Sequence, residues 1–381
     1  MNGKAFKPAD WSASGVPIIR IQNLNGADRP YNFWAGSLTG QVQVRRGDLL
    51  LAWSGTPGTS FGAHIWDGPN SVLNQHIFRC DIDRTQILPK WAKFVVNVQL
   101  NRLIHLAHGG VGLKHVTRPV VDALQVPLPP LPEQDRIADV LDRAEALRAK
   151  RRATLAKLDS LTQSLFLDIF GTRLDAPPID TRAQRVDVPR GCSWKLLTDV
   201  ARLATGHTPD RERSEYWNGE IPWISLTDIR ALDGTIATRT LQNITPLGID
   251  NSSSVLLPKG TVCFSRTASV GFVTVMGREM ATSQDFMNWV CGPTLDPTYL
   301  MWALITSRKR LLALSSGSTH RTIYMRVVEQ FHVLLPPIAM QREFSRRVAA
   351  VEKLKVAHRA SLAELDALFA SLQNRAFRGE L

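Results

Sequence analysis

The chain is written twice. Shifting its 381 residues by 207 positions places Gly110 on Gly317, Pro129-Pro130 on Pro336-Pro337, Gln134 on Gln341 and Leu158-Asp159 on Leu365-Asp366. It also places Leu165 on Leu372 and Phe170 on Phe377. From 110 to 170 the ungapped comparison gives 20 identities in 61 positions, where chance gives only a few. Self-similarity at a fixed period means one structural unit used repeatedly. A weaker echo lies upstream. Val16-Pro17-Ile18-Ile19 resembles Ile221-Pro222-Trp223-Ile224, Gly47 resembles Gly260, and Asn74-Gln75 resembles Ser283-Gln284. Each unit therefore has a divergent first part and a more similar second part. Similarity is expected where both units do the same job, divergence where their jobs differ.

The second parts read as helices. Pro132 stands ahead of Glu133-Gln134, a good start, because Pro tolerates the first turn and Glu suits the positive helix end. Neither Pro nor Gly interrupts from 133 to 170, a helix of roughly 57 Å at 1.5 Å per residue. The second copy runs from about 339 to 377. A seven-residue pattern places Val348, Val351, Lys355, His358, Leu362, Leu365, Phe369 and Leu372 on one seam. Its counterpart is Leu141, Ala144, Arg148, Arg151, Leu155, Leu158, Thr162 and Leu165. Steps of three and four are the signature of a coiled-coil seam, and polar residues within it set register at a cost in stability. The alternative is that each helix packs only on its own globular part.

The first parts read as mixed α/β with much strand. Val42-Gln43-Val44, Asp48 to Ala52 and Thr261-Val262-Cys263-Phe264 are short apolar runs bounded by Gly and Pro, as strands are. Trp91–Leu106 and Pro297–Leu314 are long enough for helices. The expected fold is thus α/β (α+β mixed): two globular domains, each followed by a long helix. The two helices pair as an antiparallel coiled coil with pseudo-twofold symmetry. The expected boundaries are 1–131 for the first domain, 132–181 for its helix and linker, 182–336 for the second domain and 337–381 for its helix.

Charge separates these parts. The net charge is +12, which favours a polyanionic partner, since phosphates attract Lys and Arg regardless of sequence. Residues 1–132 carry +6, 133–181 carry −1, 182–336 carry +4 and 337–381 carry +3. Most of the excess lies in the globular parts, and the first helix reads as a spacer or protein-docking surface. Cys80, Cys192, Cys263 and Cys291 form no Cys-x-x-Cys pair, so buried thiols in a reducing cytosol are expected rather than a zinc knuckle. No basic-then-apolar signal segment opens the sequence and no apolar run nears the length of a membrane span. A cytoplasmic protein without membrane contact is the expectation.

Ordered motifs carry a family resemblance. The second globular part contains Gly206-His207-Thr208-Pro209, Glu215-Tyr216-Trp217-Asn218-Gly219, Ile221-Pro222-Trp223-Ile224 and Thr227-Asp228-Ile229. Then come Gly260 to Arg266, Ala281-Thr282-Ser283-Gln284, Gly317-Ser318-Thr319, and Leu335-Pro336-Pro337 with Gln341. The first has Gly3-Lys4-Ala5-Phe6, Gly15 to Asn23, and Leu128-Pro129-Pro130-Leu131-Pro132-Glu133-Gln134. This duplicated order resembles the specificity (HsdS) subunits of type I restriction–modification systems, with two target recognition domains and their spacer helices. The resemblance covers nearly the whole chain.

The resemblance implies a non-catalytic, sequence-specific DNA-binding subunit in bacterial defence. Each recognition domain reads one half of a bipartite site on double-stranded DNA. The helices set the spacing and dock two methyltransferase (M) subunits, and a restriction/translocase (R) subunit joins for cleavage. Methyl donor, ATP and Mg belong to those partners, and no cofactor is expected in this chain. Two alternatives stay open: the specificity subunit of a fused, type IIB-like restriction–methylation enzyme, or a truncated, inactive specificity subunit. The second arises because Trp194 to Thr205 precede Gly206, whereas the first copy starts almost at Gly3. About a dozen matching residues of the first domain are therefore expected to be missing.

Enzymatic signatures are lacking. The sequence has no Gly-x-x-x-x-Gly-Lys-Ser/Thr loop. It has no Asn/Asp-Pro-Pro-aromatic methyltransferase loop either: Pro129-Pro130 and Pro336-Pro337 are followed by Leu131 and Ile338. Gly109-Gly110-Val111-Gly112 reads as a loop rather than a dinucleotide site, and His105 and His108 have no third metal ligand in view. Trp53, Trp223 and Trp289 read as core.

Arg, Lys, Asn and Gln suit base edges because they form paired hydrogen bonds. The candidate DNA-binding residues of the first domain are Lys4, Lys7, Arg20, Gln22, Asn23, Asn25, Ser54, Thr56, Gln75, His76 and Lys114. Those of the second are Thr208, Arg211, Arg213, Ser225, Thr227, Asp228, Arg266, Ser269, Gln284, Thr319, His320 and Arg321. Each competes with a plainer role as helix cap, turn residue or solvated side chain.

Overall fold

Two helices of 40 residues each, Leu131–Phe170 and Ile338–Phe377, organise the chain. The structure is a computed structural model and describes residues 1–24, 29–55, 61–100, 104, 114–171, 177–183, 188, 191–317 and 321–381. Two compact units result, and the division falls inside both long helices. Unit 1 is Met1–Arg152 with Ala360–Leu381, and unit 2 is Ala153–Arg359.

In unit 1, strand Leu49–Ala52 is apolar and buried throughout, as befits a central strand. It pairs antiparallel with Gly62–Ile65 and with Ile77–Cys80. Beside it, Val16–Ile19 runs antiparallel to Asn32–Trp34 and parallel to Ser71–Leu73. Helix Pro89–Val98 starts on its proline and buries Trp91, Ala92, Phe94 and Val95. Trp91, Phe94 and Val95 share one core cluster with Ile137, Ala138, Leu141 and Ala144 of the first long helix and Phe369 and Ala376 of the second. Trp91 meets Phe377 at 5.1 Å between ring centroids. Arg148 pairs with Asp366 at 2.5 Å and lies 4.2 Å above the Phe369 ring. Arg136 donates to the Leu381 carbonyl. From 136 with 381 to 148 with 366 the numbering runs in opposite directions, so the two helix segments are antiparallel.

In unit 2, Ala201–Thr205, Phe286–Cys291, Val262–Ser265, Val273–Met276 and Ile236–Ala237 form a five-stranded sheet in that order. A second sheet places Trp217–Ile224 between Gln242–Ile244, antiparallel, and Ala281–Thr282, parallel. The core is aromatic where the helices enter it. Phe166 and Phe170 pack with Tyr299 and Phe344 at centroid distances of 4.9 to 5.6 Å, and all four are buried. Asp159 pairs with Lys355 at 3.1 Å. Here too later residues of one helix meet earlier residues of the other.

The 207-residue period survives in these contacts. It carries Arg148 onto Lys355 and Asp159 onto Asp366, so both ion pairs are the same seam contact made reciprocally. In unit 1 the Trp91 indole donates to the Pro127 carbonyl at 2.9 Å; in unit 2 the Tyr299 hydroxyl donates to that of Leu334. All sixteen expected seam positions are buried or half-buried.

Some expected elements are shorter. Helix Pro89–Val98 ends before Leu106, and His105, His108 and Gly109 to Gly112 lie outside the described residues. The stretch from Pro297 forms two helices, Pro297–Thr306 and Arg308–Ala313. Between them the Ser307 hydroxyl donates to the Ala303 carbonyl at 2.7 Å and accepts from the Ile179 amide at 2.9 Å, a local competition with helical bonding. Where unit 2 has the edge strand Ala201–Thr205, Met1, Asn2 and Gly3 of unit 1 pair with Arg79, Phe78 and Ile77.

Burial raises all four thiols, and three of them strongly: Cys80 to about 11, Cys291 to about 12 and Cys263 higher still. Folding therefore favours the protonated thiols, and this stabilisation is fully present below the ordinary thiol value and lost as pH rises from there through the raised folded-state values. A maleimide reagent at pH 8 should label these three slowly in the native chain and rapidly in denaturant; fast native labelling of Cys263 would contradict their placement. Phe166→Ala should cost unit 2 about 3–5 kcal/mol in denaturant unfolding. Leu161→Ala, whose side chain is exposed, should cost at most about 0.5 kcal/mol.

Candidate nucleic-acid interface

Eleven of the candidate residues lie where the parallel strand pair of each unit ends. In unit 1 the pair sets Ile19 beside Leu73, and the Asn74 amide donates to the Ile19 carbonyl at 3.1 Å. In unit 2 it sets Ile224 beside Thr282, and the Ser283 amide donates to the Ile224 carbonyl at 3.0 Å. Three segments meet there. They are the strand exit (20–23 and 225–228), the turn after the partner strand (74–76 and 283–285) and a glycine-led segment (3–4 and 206–208). The two glycines are forced by close approach. A Cβ on Gly3 would lie 2.2 Å from the Asn74 carbonyl oxygen, and one on Gly206 would lie 2.1 Å from the Thr282 hydroxyl.

Several candidates hold this cluster together. Asn23 is buried, accepts from the Arg20 amide at 3.0 Å and donates to the Arg29 carbonyl at 3.2 Å. Asp228 is its counterpart. It accepts from the Ser225 amide at 3.0 Å, the Ser225 hydroxyl at 2.6 Å and the Leu241 amide at 2.8 Å. Ser225 caps the helix Leu226–Leu232 in a reciprocal capping box with Asp228. Ser54 is buried. Ser269 is buried and accepts from Arg230 at 3.4 Å. His76 sits at φ 76°, a left-handed conformation that non-glycine residues adopt at a cost in energy.

Other candidates face outward. Lys7, Gln22, Gln75, Arg211, Arg213, Thr227, Gln284 and Arg321 are exposed. The Thr208 hydroxyl donates to Gln284 Oε1 at 2.6 Å, and Arg266 donates to the Gln284 carbonyl at 3.2 Å, so the turn carrying Gln284 is braced from two sides. Arg213 pairs with Glu215 at 3.4 Å. Lys114 lies in a short strand paired with Ser54–Gly55. Asn25, Thr56, Thr319 and His320 lie outside the described residues.

Aromatic rings support three of the cations, a feature sequence reasoning missed. Arg211 lies 5.0 Å from the Trp217 ring and 5.5 Å from that of Trp223. Arg20 lies 5.4 Å from Trp11, and Lys4 lies 4.3 Å from Trp34. Trp11 and Trp217 each follow a one-turn helix, Pro8–Asp10 and Ser214–Tyr216, so the two units use the same ring position. Each such contact is worth about 0.5–2 kcal/mol and narrows the positions a long basic side chain can adopt. Of the tryptophans assigned to the core, Trp223 and Trp289 are buried and Trp53 is half-buried. Among the described residues no group of three His, Cys, Asp or Glu side chains is placed to hold a metal, and no helix is long and apolar enough to cross a membrane.

One α/β module built twice, each copy gathering exposed polar and basic groups at one strand end, defines a duplicated recognition protein. A family profile of the type I restriction modification DNA specificity domain matches residues 1–157 and 191–366, one match on each repeat, and the chain belongs to that family. It is 24% identical over 412 residues to the specificity subunit of the type I restriction enzyme EcoBI from Escherichia coli, covering 100% of this chain and 83% of that one. It is 26% identical over 160 residues to the MjaIX specificity subunit of Methanocaldococcus jannaschii; that match covers 42% of this chain and spans only 37% of the relative's length. The crystal structure of the type I S subunit from M. genitalium shares its fold, with a TM-score of 0.60 over 99% of this chain and 92% of that one at 12% identity.

Gly206→Ala should destabilise unit 2 by about 1–3 kcal/mol, the usual cost of overpacking. Chemical denaturation measures it, and an unchanged midpoint would contradict the close approach described above.

Proposed function

We propose that this chain is the DNA-binding specificity subunit of a type I restriction–modification complex and performs no catalysis itself. Each globular part reads one half of a bipartite duplex site. The long helices dock two methyltransferase subunits, and a restriction/translocase subunit joins the assembly. Methyl donor, ATP and Mg act on those partners, and the complex works in the cytoplasm. The observation that carries this reading is the repeated strand-end cluster with cations held over indole rings. A basic side chain already restricted in position loses less freedom on meeting a base or phosphate.

Within the cluster the division of labour follows exposure. Asn23, Ser225 and Asp228 shape it. In this reading Gln22, Gln75, Arg211, Thr227 and Gln284 meet base edges, with Arg20 and Lys4 supported by their rings. Lys7, Arg213 and Arg321 serve phosphates, which position the protein without specifying sequence.

Selection of binding sites from a random duplex pool by the complex reconstituted with its methyltransferase subunits tests the proposal. The wild-type chain should recover one bipartite sequence. Arg211→Ala should weaken binding by about 1–3 kcal/mol, roughly 5- to 150-fold, and relax one base in one half-site. Arg20→Ala should act on the other half only. Recovery of no defined sequence would contradict the reading.

A further inference from the structure

One glutamine in each unit ties the start of the long helix to the globular part. Gln134 is fully buried. Its Oε1 accepts from the Leu88 amide at 2.8 Å, and its Nε2 donates to the Gln86 carbonyl at 2.7 Å and the Pro129 carbonyl at 2.8 Å. Gln341 is equally buried and repeats the pattern. Its Oε1 accepts from the Asp296 amide at 2.8 Å, and its Nε2 donates to the Thr294 carbonyl at 3.1 Å and the Pro336 carbonyl at 2.7 Å. Leu88 and Asp296 are the cap residues of helices Pro89–Val98 and Pro297–Thr306. Each carboxamide thus pins three strands of backbone at one point: the cap of the domain's packing helix, the turn before it, and the proline turn into the long helix.

All six bonds end on main-chain atoms. The side chains at the contacted positions differ between units, Gln86 against Thr294 and Leu88 against Asp296, yet the joint is the same. A joint made only to backbone is indifferent to the sequence of the domain it holds. It is also rigid, because removing the carboxamide takes the partner from three backbone groups that are at least part-buried. Its leverage is large. The 22 residues of each long helix that lie in the same unit as its glutamine span about 33 Å, so a tilt of about 10° at the root moves the end of that segment by about 6 Å, or about two base-pair steps.

We propose that Gln134 and Gln341 are positioning residues that fix the direction and rotational phase of each long helix on its recognition domain. They thereby hold the chain to one spacing between DNA half-sites. This inference rests on the DNA-reading function proposed above. It concerns spacing, whereas the base-facing residues concern sequence.

The test selects bipartite sites from a duplex pool in which spacer length and flanking bases both vary, using full-length chain with its methyltransferase subunits. Gln134→Met and Gln341→Met keep the side-chain volume and remove the hydrogen bonds. Val95→Ala, in helix Pro89–Val98 but outside the joint, is the stability-matched control. Wild type and Val95→Ala should recover one spacer length. Each Met variant should recover the same half-site sequences with spacers one or two base pairs either side, and bind the original spacing about tenfold more weakly. Gln134→Asn, which keeps the carboxamide one methylene short, should broaden spacing in the same sense and covers a Met variant that does not fold. A single, unchanged spacing in the glutamine variants would overturn the inference, even if they melt earlier. Recovery of no bipartite site by wild type would overturn the underlying function, and the inference with it.

Discussion

Antiparallel contact between the two long helices is the constraint on which both units depend. Neither globular core is complete from its own repeat. The cluster around Trp91 and Phe94 is closed by Phe369 and Ala376, which lie some 275 residues further along the chain. The cluster around Tyr299 is closed by Phe166 and Phe170, which belong to the other repeat. A fully buried phenylalanine contributes roughly 2–3 kcal/mol of transfer free energy, and a folded domain is stable by only about 5–15 kcal/mol. Two such rings are therefore a large share of a unit's stability. The exchange of helix ends also explains why the second parts of the repeats stayed similar: each must fit the other's domain as well as its own.

Polar groups in this arrangement specify more than they stabilise. The pairs Arg148–Asp366 and Lys355–Asp159 have one half-buried or buried cation and one more exposed carboxylate. Such pairs add little net free energy once desolvation is counted. They do favour one register, because a slip of one heptad would leave Lys355, which is buried and otherwise paired only within its own helix to Glu352 at 2.8 Å, without its Asp159. The apolar seam alone would tolerate such a slip better.

Much of this was legible in the sequence, and the rest was hidden for identifiable reasons. The duplication and both long helices were visible because local periodicity encodes them; helix starts at Leu131 and Ile338 follow the proline turns at 129–130 and 336–337. The capping role of Asp228 was not read from the sequence, which set it among the DNA-binding candidates, although Ser225 three residues ahead of it was the local signal. The cation–ring contacts were not visible, because Lys4 with Trp34 and Arg211 with Trp217 have no periodic spacing and depend on how loops fold back. Gln134 and Gln341 stood out only as a matched pair. That they bond to backbone alone needed the three-dimensional arrangement, since backbone partners leave no mark in sequence.

Native-state amide hydrogen exchange on the full-length chain tests the shared-core account most directly. If the core around Trp91 is closed by the far end of the second helix, amides of 366–376 should exchange with the same opening free energy as those of 91–98. Phe94→Leu should lower both together and leave 341–352 unchanged. Exchange of 366–376 in step with 341–352, and independent of the Trp91 cluster, would show the second helix to be a single unit packed on its own domain, and would contradict the account.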